Sequence, residues 1–219
     1  MPGGAGIQEE WLGALEDALG AFADLLLDTA VVAAWQKASC LNGYSVGGIA
    51  GHVLSLAEGL QARLQTDPPA VDVIPYQEWY AGAVLPKTEG TLHTRLIDVG
   101  EQLAARGPGH VRAQLAEVGK ALRHLLQVAP ADRAIPLASL PGAGVRLDDF
   151  VRTRFVEVLV HADDIAASAE LACPKFSAAA WMLAGSVVAE TSGVVGDGPQ
   201  FVLRTCRPER PTRSGLEPA

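Results

Sequence analysis

At 219 residues with an apolar fraction of 49%, the chain can bury one sizeable core, so one domain, or one domain with a short appendage, is the default. The formal charge of −8 leaves no net positive field to neutralise phosphates and argues against a nucleic-acid partner. No apolar run is long enough to cross a bilayer, and the N-terminus lacks the basic and apolar regions of a signal peptide. Three widely spaced cysteines, Cys40, Cys173 and Cys206, with no C-x-x-C pair, point to a reducing cytoplasm.

Apolar residues at spacings of three and four (Leu12, Leu15, Leu19, Phe22, Leu25, Leu26) predict a first helix over about 8–37, with weak points at Gly20 and Thr29. Ser45 is a plausible N-cap for a second helix over about 46–65. Gly47, Gly48 and Gly51 are poor helix formers, but they permit close approach of another helix or of a ligand. Asp67-Pro68-Pro69 ends that helix. Residues 70–88, with Tyr76, Trp79 and Tyr80, read as a loop or lid with short helical turns.

A third helix is expected over about 91–105, broken at Gly107-Pro108-Gly109, and a further one over about 110–127 with Val111, Leu115, Val118, Leu122 and Leu125 inward. Residues 130–147 are a Pro- and Gly-rich connection in which Ile135-Pro136-Leu137 could be extended. A helix then starts at Asp148 or Asp149 and runs to about Ser168. A shorter one, capped by Ser177, ends near Glu190. A short strand is expected over 200–206 and a disordered tail over 207–219.

Glu157 and His161 are the most informative residues. Four helical residues advance about 400°, so both side chains point within about 40° of each other. A carboxylate among Val156, Val158, Leu159 and Val160 needs a partner, because an isolated buried charge is costly. A divalent cation is one such partner, and a simple i,i+4 ion pair with a protonated imidazole is the other. His52, in the apolar run Ile49-Ala50-Gly51-His52-Val53-Leu54, is the candidate third ligand. Two His and one Glu leave an open coordination position, as catalytic rather than structural sites do. Asp164 lies about 20° from Glu157 on the same face. It is a candidate to orient a ligand, to hold a substrate-binding Arg, or to make a helix–helix hydrogen bond. Of Arg152 and Arg154, one could hold a substrate carboxylate in a forked geometry, with surface solvation as the alternative. Cys40 reads as core or loop, and His93, His110 and His124 as surface residues. No Gly-x-Ser-x-Gly elbow supports a serine hydrolase.

Trp35 and the run Tyr44-Ser45-Val46-Gly47-Gly48-Ile49-Ala50-Gly51-His52, together with Arg154-x-x-Glu157-x-x-x-His161-x-x-Asp164, resemble the DinB-like superfamily. More narrowly, they are similar to the N-terminal domain of mycothiol-dependent maleylpyruvate isomerases, over about residues 8–170. The resemblance implies an all-α fold: a DinB-like four-helix bundle over 1–170 that holds a divalent metal, usually zinc, through His52, Glu157 and His161. A short C-terminal helix and strand extension over 171–206 and the tail over 207–219 would follow. It further implies a low-molecular-weight thiol, commonly mycothiol, as cosubstrate of a transferase or isomerase acting on a small electrophile, with Asp164 and Arg154 as catalytic candidates. The expected setting is cytoplasmic, with small-molecule partners, no membrane and room for a homodimer. Two departures stand out. The tryptophan expected shortly before the second helix is replaced by Asn42-Gly43-Tyr44, and the appended C-terminal domain is reduced to about 177–206. A thiol S-transferase or specialised-metabolism enzyme therefore fits as well as maleylpyruvate isomerisation. A metal-dependent hydrolase with Asp164 as base, and a non-enzymatic ligand-binding bundle, are the rival functions.

Overall fold

The computed structural model describes residues 6–84, 91–196, 198 and 206. Eight α-helices lie among them: α1 (Glu9–Leu25), α2 (Thr29–Ala34), α3 (Val46–Leu64), α4 (Tyr76–Trp79), α5 (Thr91–Ala104), α6 (Pro108–Val128), α7 (Leu147–Ser168) and α8 (Ala178–Val194). Helices α1, α6, α3 and α7 form a closed ring of neighbours, which is the DinB-like bundle. Helix α5 packs on the outside of α3, and α8 packs against α7 and α1. The strand expected over 200–206 and the tail over 207–219 lie outside the described residues apart from Cys206, as does the 85–88 end of the expected lid.

The first helix is two helices, not one. The chain breaks at the weak point expected near Thr29: Asp28 turns its carboxylate onto the Ala30 N–H as the N-cap of α2, which starts at Thr29, while Gly20 lies within α1. Trp35 follows, buried, with its indole N–H donating 3.0 Å to the Ala104 carbonyl of α5. Ser45 caps α3 by accepting from the Gly48 N–H. Glu101 of α5 accepts from both the Ser45 N–H and the Ser45 hydroxyl, at 2.7 and 2.8 Å.

The glycines of α3 admit a helix. A Cβ on Gly51 would lie 2.1 Å from the Gly100 carbonyl oxygen, and one on Gly100 would lie 2.5 Å from the Gly48 oxygen. Helices α3 and α5 therefore meet backbone to backbone. This fixes the height of the α3 residues that face inward, His52 among them.

Between helices, a small sheet in the order β1-β3-β2 closes one end of the bundle. It pairs β1 (Asp72–Val73) parallel to β3 (Ala143–Arg146), and β2 (Ala134–Pro136) antiparallel to it. Only the extended Ile135 region was expected; β1 and β3 are too short for a period of two to show. Tyr76–Trp79 is one helical turn that widens into a π-helical turn, Tyr80–Val84. Helix α7 packs against α3, α1 and α8, so its buried residues, among them Val151, Phe155, Leu159 and Ile165, are spread over more than one face, while Val160 and Asp163 stay exposed.

Candidate metal centre

His52 on α3 and the Glu157–His161 pair on α7 meet in the interior between the two helices. The Glu157 Oε2 lies 3.7 Å from His52 Nε2 and 3.5 Å from His161 Nε2, and one ligand atom from each residue falls within 4.8 Å of the others. The two imidazole rings meet edge to face, with centroids 5.2 Å apart. Two ligands about 2.1 Å from one tetrahedral ion are separated by about 3.4 Å, so these spacings fit a single cation with little movement.

The surrounding groups prepare the donors. His161 Nδ1 is 2.9 Å from Asp164 Oδ2, so the carboxylate holds that nitrogen's proton and leaves Nε2 turned to Glu157. The His52 Nδ1 is buried and has no hydrogen-bond partner among the described residues. Burial would raise the Glu157 pKa, but hydrogen bonds from His161 and His52, with the nearby Arg154 charge, hold it well below the usual carboxylate range. Burial would lower His161; the hydrogen bond to Asp164 and the charge of Glu157 instead push it up to about 9. The protonated imidazole thus occupies the electrostatic role that a bound cation would take. The donor set is nitrogen and oxygen only, as zinc and similar divalent ions accept. His52 and His161 both turn Nε2 to Glu157, so the two rings offer the same nitrogen to the shared centre.

The profile of the mycothiol maleylpyruvate isomerase N-terminal domain family matches residues 15–166. The chain belongs to this family. Through it, the protein falls in the DinB-like superfamily. No curated protein and no solved structure gave a match. The matched span runs from α1 to the last turn of α7, and so contains His52, Glu157, His161, Arg154 and Asp164.

In this family member the two arginines have different surroundings. Arg152 faces α8, where it bonds Ser186 and pairs with Glu190, and it also pairs with Asp149 one turn earlier on α7. Arg154 is buried beside the centre, with its Nε and Nη2 on the Thr153 hydroxyl at 3.3 and 3.0 Å. Together with Glu157 it lines a small interior cavity whose other walls are apolar, including Val53, Leu60 and Leu122.

Several neighbours were given no role at the centre by sequence reasoning. Tyr44, buried where the family's tryptophan was expected, sets its ring 5.8 Å from that of His52. Burial, then the Glu157 and Glu101 charges, push its phenol up to about 12. His93 packs edge-on against Tyr44 and is half-buried rather than a plain surface residue. His110 likewise has a buried Nε2. Cys40 is exposed on the loop before α3, where its thiol donates to the Asp164 carbonyl and its N–H to the Ser168 hydroxyl. That loop is thereby tied to the end of α7, which seats Tyr44 over His52. The one available signal was position: Tyr44 immediately precedes the helix cap.

Proposed function

We propose that the protein is a metal-dependent enzyme that uses a low-molecular-weight thiol, mycothiol or a relative, in a transferase or isomerase reaction on a small electrophile. The observation that carries this is the convergence of His52, Glu157 and His161, from two helices, inside a chain of this family. These three residues would hold the ion, with zinc favoured by the two imidazoles and one carboxylate. A divalent cation bound there supplies charge that favours the thiolate form of a thiol and polarises a substrate oxygen.

The chain's own residues do the rest. Asp164 keeps the His161 ring in one orientation and one tautomer. Apolar side chains of α1, α3 and α6 exclude water from the cavity beside Glu157. Arg154 gives that cavity a fixed positive charge. The thiolate sulfur would add to one carbon of a conjugated double bond, breaking the π bond and sending its electron pair to the substrate oxygen. In a transferase the other carbon then takes up a proton, equivalent to the one that the thiol lost, and the sulfur stays. In an isomerase the resulting single bond turns and the pair returns to re-form the double bond as the thiolate leaves. The hydrolase reading is weaker, because the Asp164 carboxylate that it needs as a free base is engaged with His161. The bundle over 1–170 would carry this chemistry, with α8 as part of the short extension.

His52→Ala tests the reading. Elemental analysis of the purified variant should show the metal lost, with an affinity drop larger than the ~10–100-fold typical of losing an outer partner. Thiol consumption with an electrophile should vanish with it. Full occupancy in the variant would overturn the proposal.

A further inference from the structure

Two guanidinium groups share one aromatic ring, and among the described residues neither makes a close ion pair. Phe150 lies one turn before Arg154 on α7. The guanidinium carbon of Arg154 sits 4.5 Å from the Phe150 ring centroid, and that of Arg63, from α3, sits 6.0 Å from it. Among the described residues neither arginine has a carboxylate oxygen within 4.0 Å, whereas Arg123, Arg146 and Arg152 all do. Their hydrogen bonds go to neutral acceptors. Arg63 Nε donates to the Pro136 carbonyl and Nη1 to that of Gly59, and Arg154 donates only to Thr153. The Arg63 Nη2 and the Arg154 Nη1 make no hydrogen bond among the described residues.

Such an arrangement is costly unless something completes it. Arg154 is only 7% exposed, and a buried guanidinium is strongly disfavoured without an anion. Burial, and then the charge of Arg154, pull Arg63 below its usual pKa, so the two cations repel each other. The nearest acid on the same face, Glu157, turns its Oε2 to the two imidazoles and would be taken up by a bound cation.

We infer that Arg63 and Arg154, brought together over the Phe150 ring that Trp79 stacks against, form a subsite for a carboxylate group of the bound organic molecule, between α3 and α7. One free Nη on each arginine matches the two oxygens of one carboxylate. This inference rests on the proposed function and deepens it. The acid group belongs either to the electrophile or to the thiol, and both sources are testable.

The test titrates fumarate and S-methylglutathione, separately, into the full chain loaded with Zn²⁺, read by calorimetry and by arginine side-chain NMR. The same titrations use Arg63→Met and Arg154→Met, with zinc content measured in every sample. At least one probe should bind, shift the Arg63 and Arg154 resonances, and weaken about tenfold or more in each variant. Loss of fumarate binding assigns the subsite to the electrophile, and loss of S-methylglutathione binding assigns it to the thiol. Binding of neither probe, unmoved arginine resonances in the unsubstituted protein, or affinities within about twofold in both variants would overturn the inference. Arg63 is only half-buried, and the resonance shifts need no substitution, so misfolding of Arg154→Met leaves the test decisive. Zinc retained without a response from the arginines overturns only the subsite. Zinc absent from the unsubstituted protein overturns the proposed function.

Discussion

His161 shows how much the state of one residue decides. Its folded pKa of about 9 exceeds the ordinary value of 6.5. In the metal-free protein its proton therefore stabilises the fold fully below about 6.5, and that contribution is lost as pH rises through about 9. A metal must displace the same proton. Addition of Zn²⁺ to metal-free protein between about pH 7 and 8 should release close to one proton from the centre, and apparent affinity should rise with pH until about 9. Glu157, held well below the usual range, contributes none. Proton release measured with an indicator dye in weak buffer checks this; release near zero would mean that the ion does not bind at His161. The residue scale also shows where sequence reasoning succeeds. Glu157 and His161 are one helical turn apart, so their meeting follows from helix geometry alone. Arg152 and Arg154 could not be ranked that way, because only α8 and its Glu190 separate the tied arginine from the interior one.

Among the elements, the α3–α5 contact is the most demanding. Ala at Gly51 would drive its Cβ into the Gly100 carbonyl, a backbone atom that cannot swing aside. Gly51→Ala should cost at least about 1–3 kcal/mol in urea denaturation. It should also lower metal affinity, because His52 is the next residue. An unchanged midpoint would show that α5 does not pack as described. Helix α8 is held differently, through Glu190, which accepts from Arg152, Tyr76 and Gln77. Burial would raise the Glu190 pKa, but the hydrogen bond and charge of Arg152 bring it below its usual value. Its contribution is therefore present above the unfolded carboxylate pKa and is lost as pH falls through the lower folded value. Acid should loosen α8 before the bundle, and Glu190→Gln should do so at neutral pH. Faster hydrogen exchange confined to α8 is the expected signature; exchange unchanged in the variant would remove the latch. Helix positions were legible from caps and periodicity. The break before α2 was legible only as a weak point at Thr29, because apolar spacing continues across it, and the strands β1 and β3 were hidden because two to four residues carry no readable alternation.

For the molecule as a whole, the metal centre is also a clasp between α3 and α7. A ligand that binds only the folded state stabilises it by about 2.7 kcal/mol at a hundredfold excess over Kd, or about 5–10 °C in Tm for a chain of this size. Chelation should lower Tm by that order, Zn²⁺ should restore it, and His52→Ala should be insensitive to both. A Tm indifferent to chelator in the unsubstituted protein would count against the centre. No helix among the described residues is long and apolar enough to cross a membrane.

The sequence by itself determined the helices, their caps, the family signature and the local Glu157–His161 pair, because each depends on neighbours within a turn or two. Only the tertiary structure decided that α3 and α7 adjoin at a height bringing His52 to that pair, that Tyr44 covers it, and that Arg63 and Arg154 share Phe150. The contacts of His52 with the pair, and of Arg63 with Phe150, join residues roughly ninety or more positions apart. Their geometry is set by packing across the bundle, which no local pattern encodes.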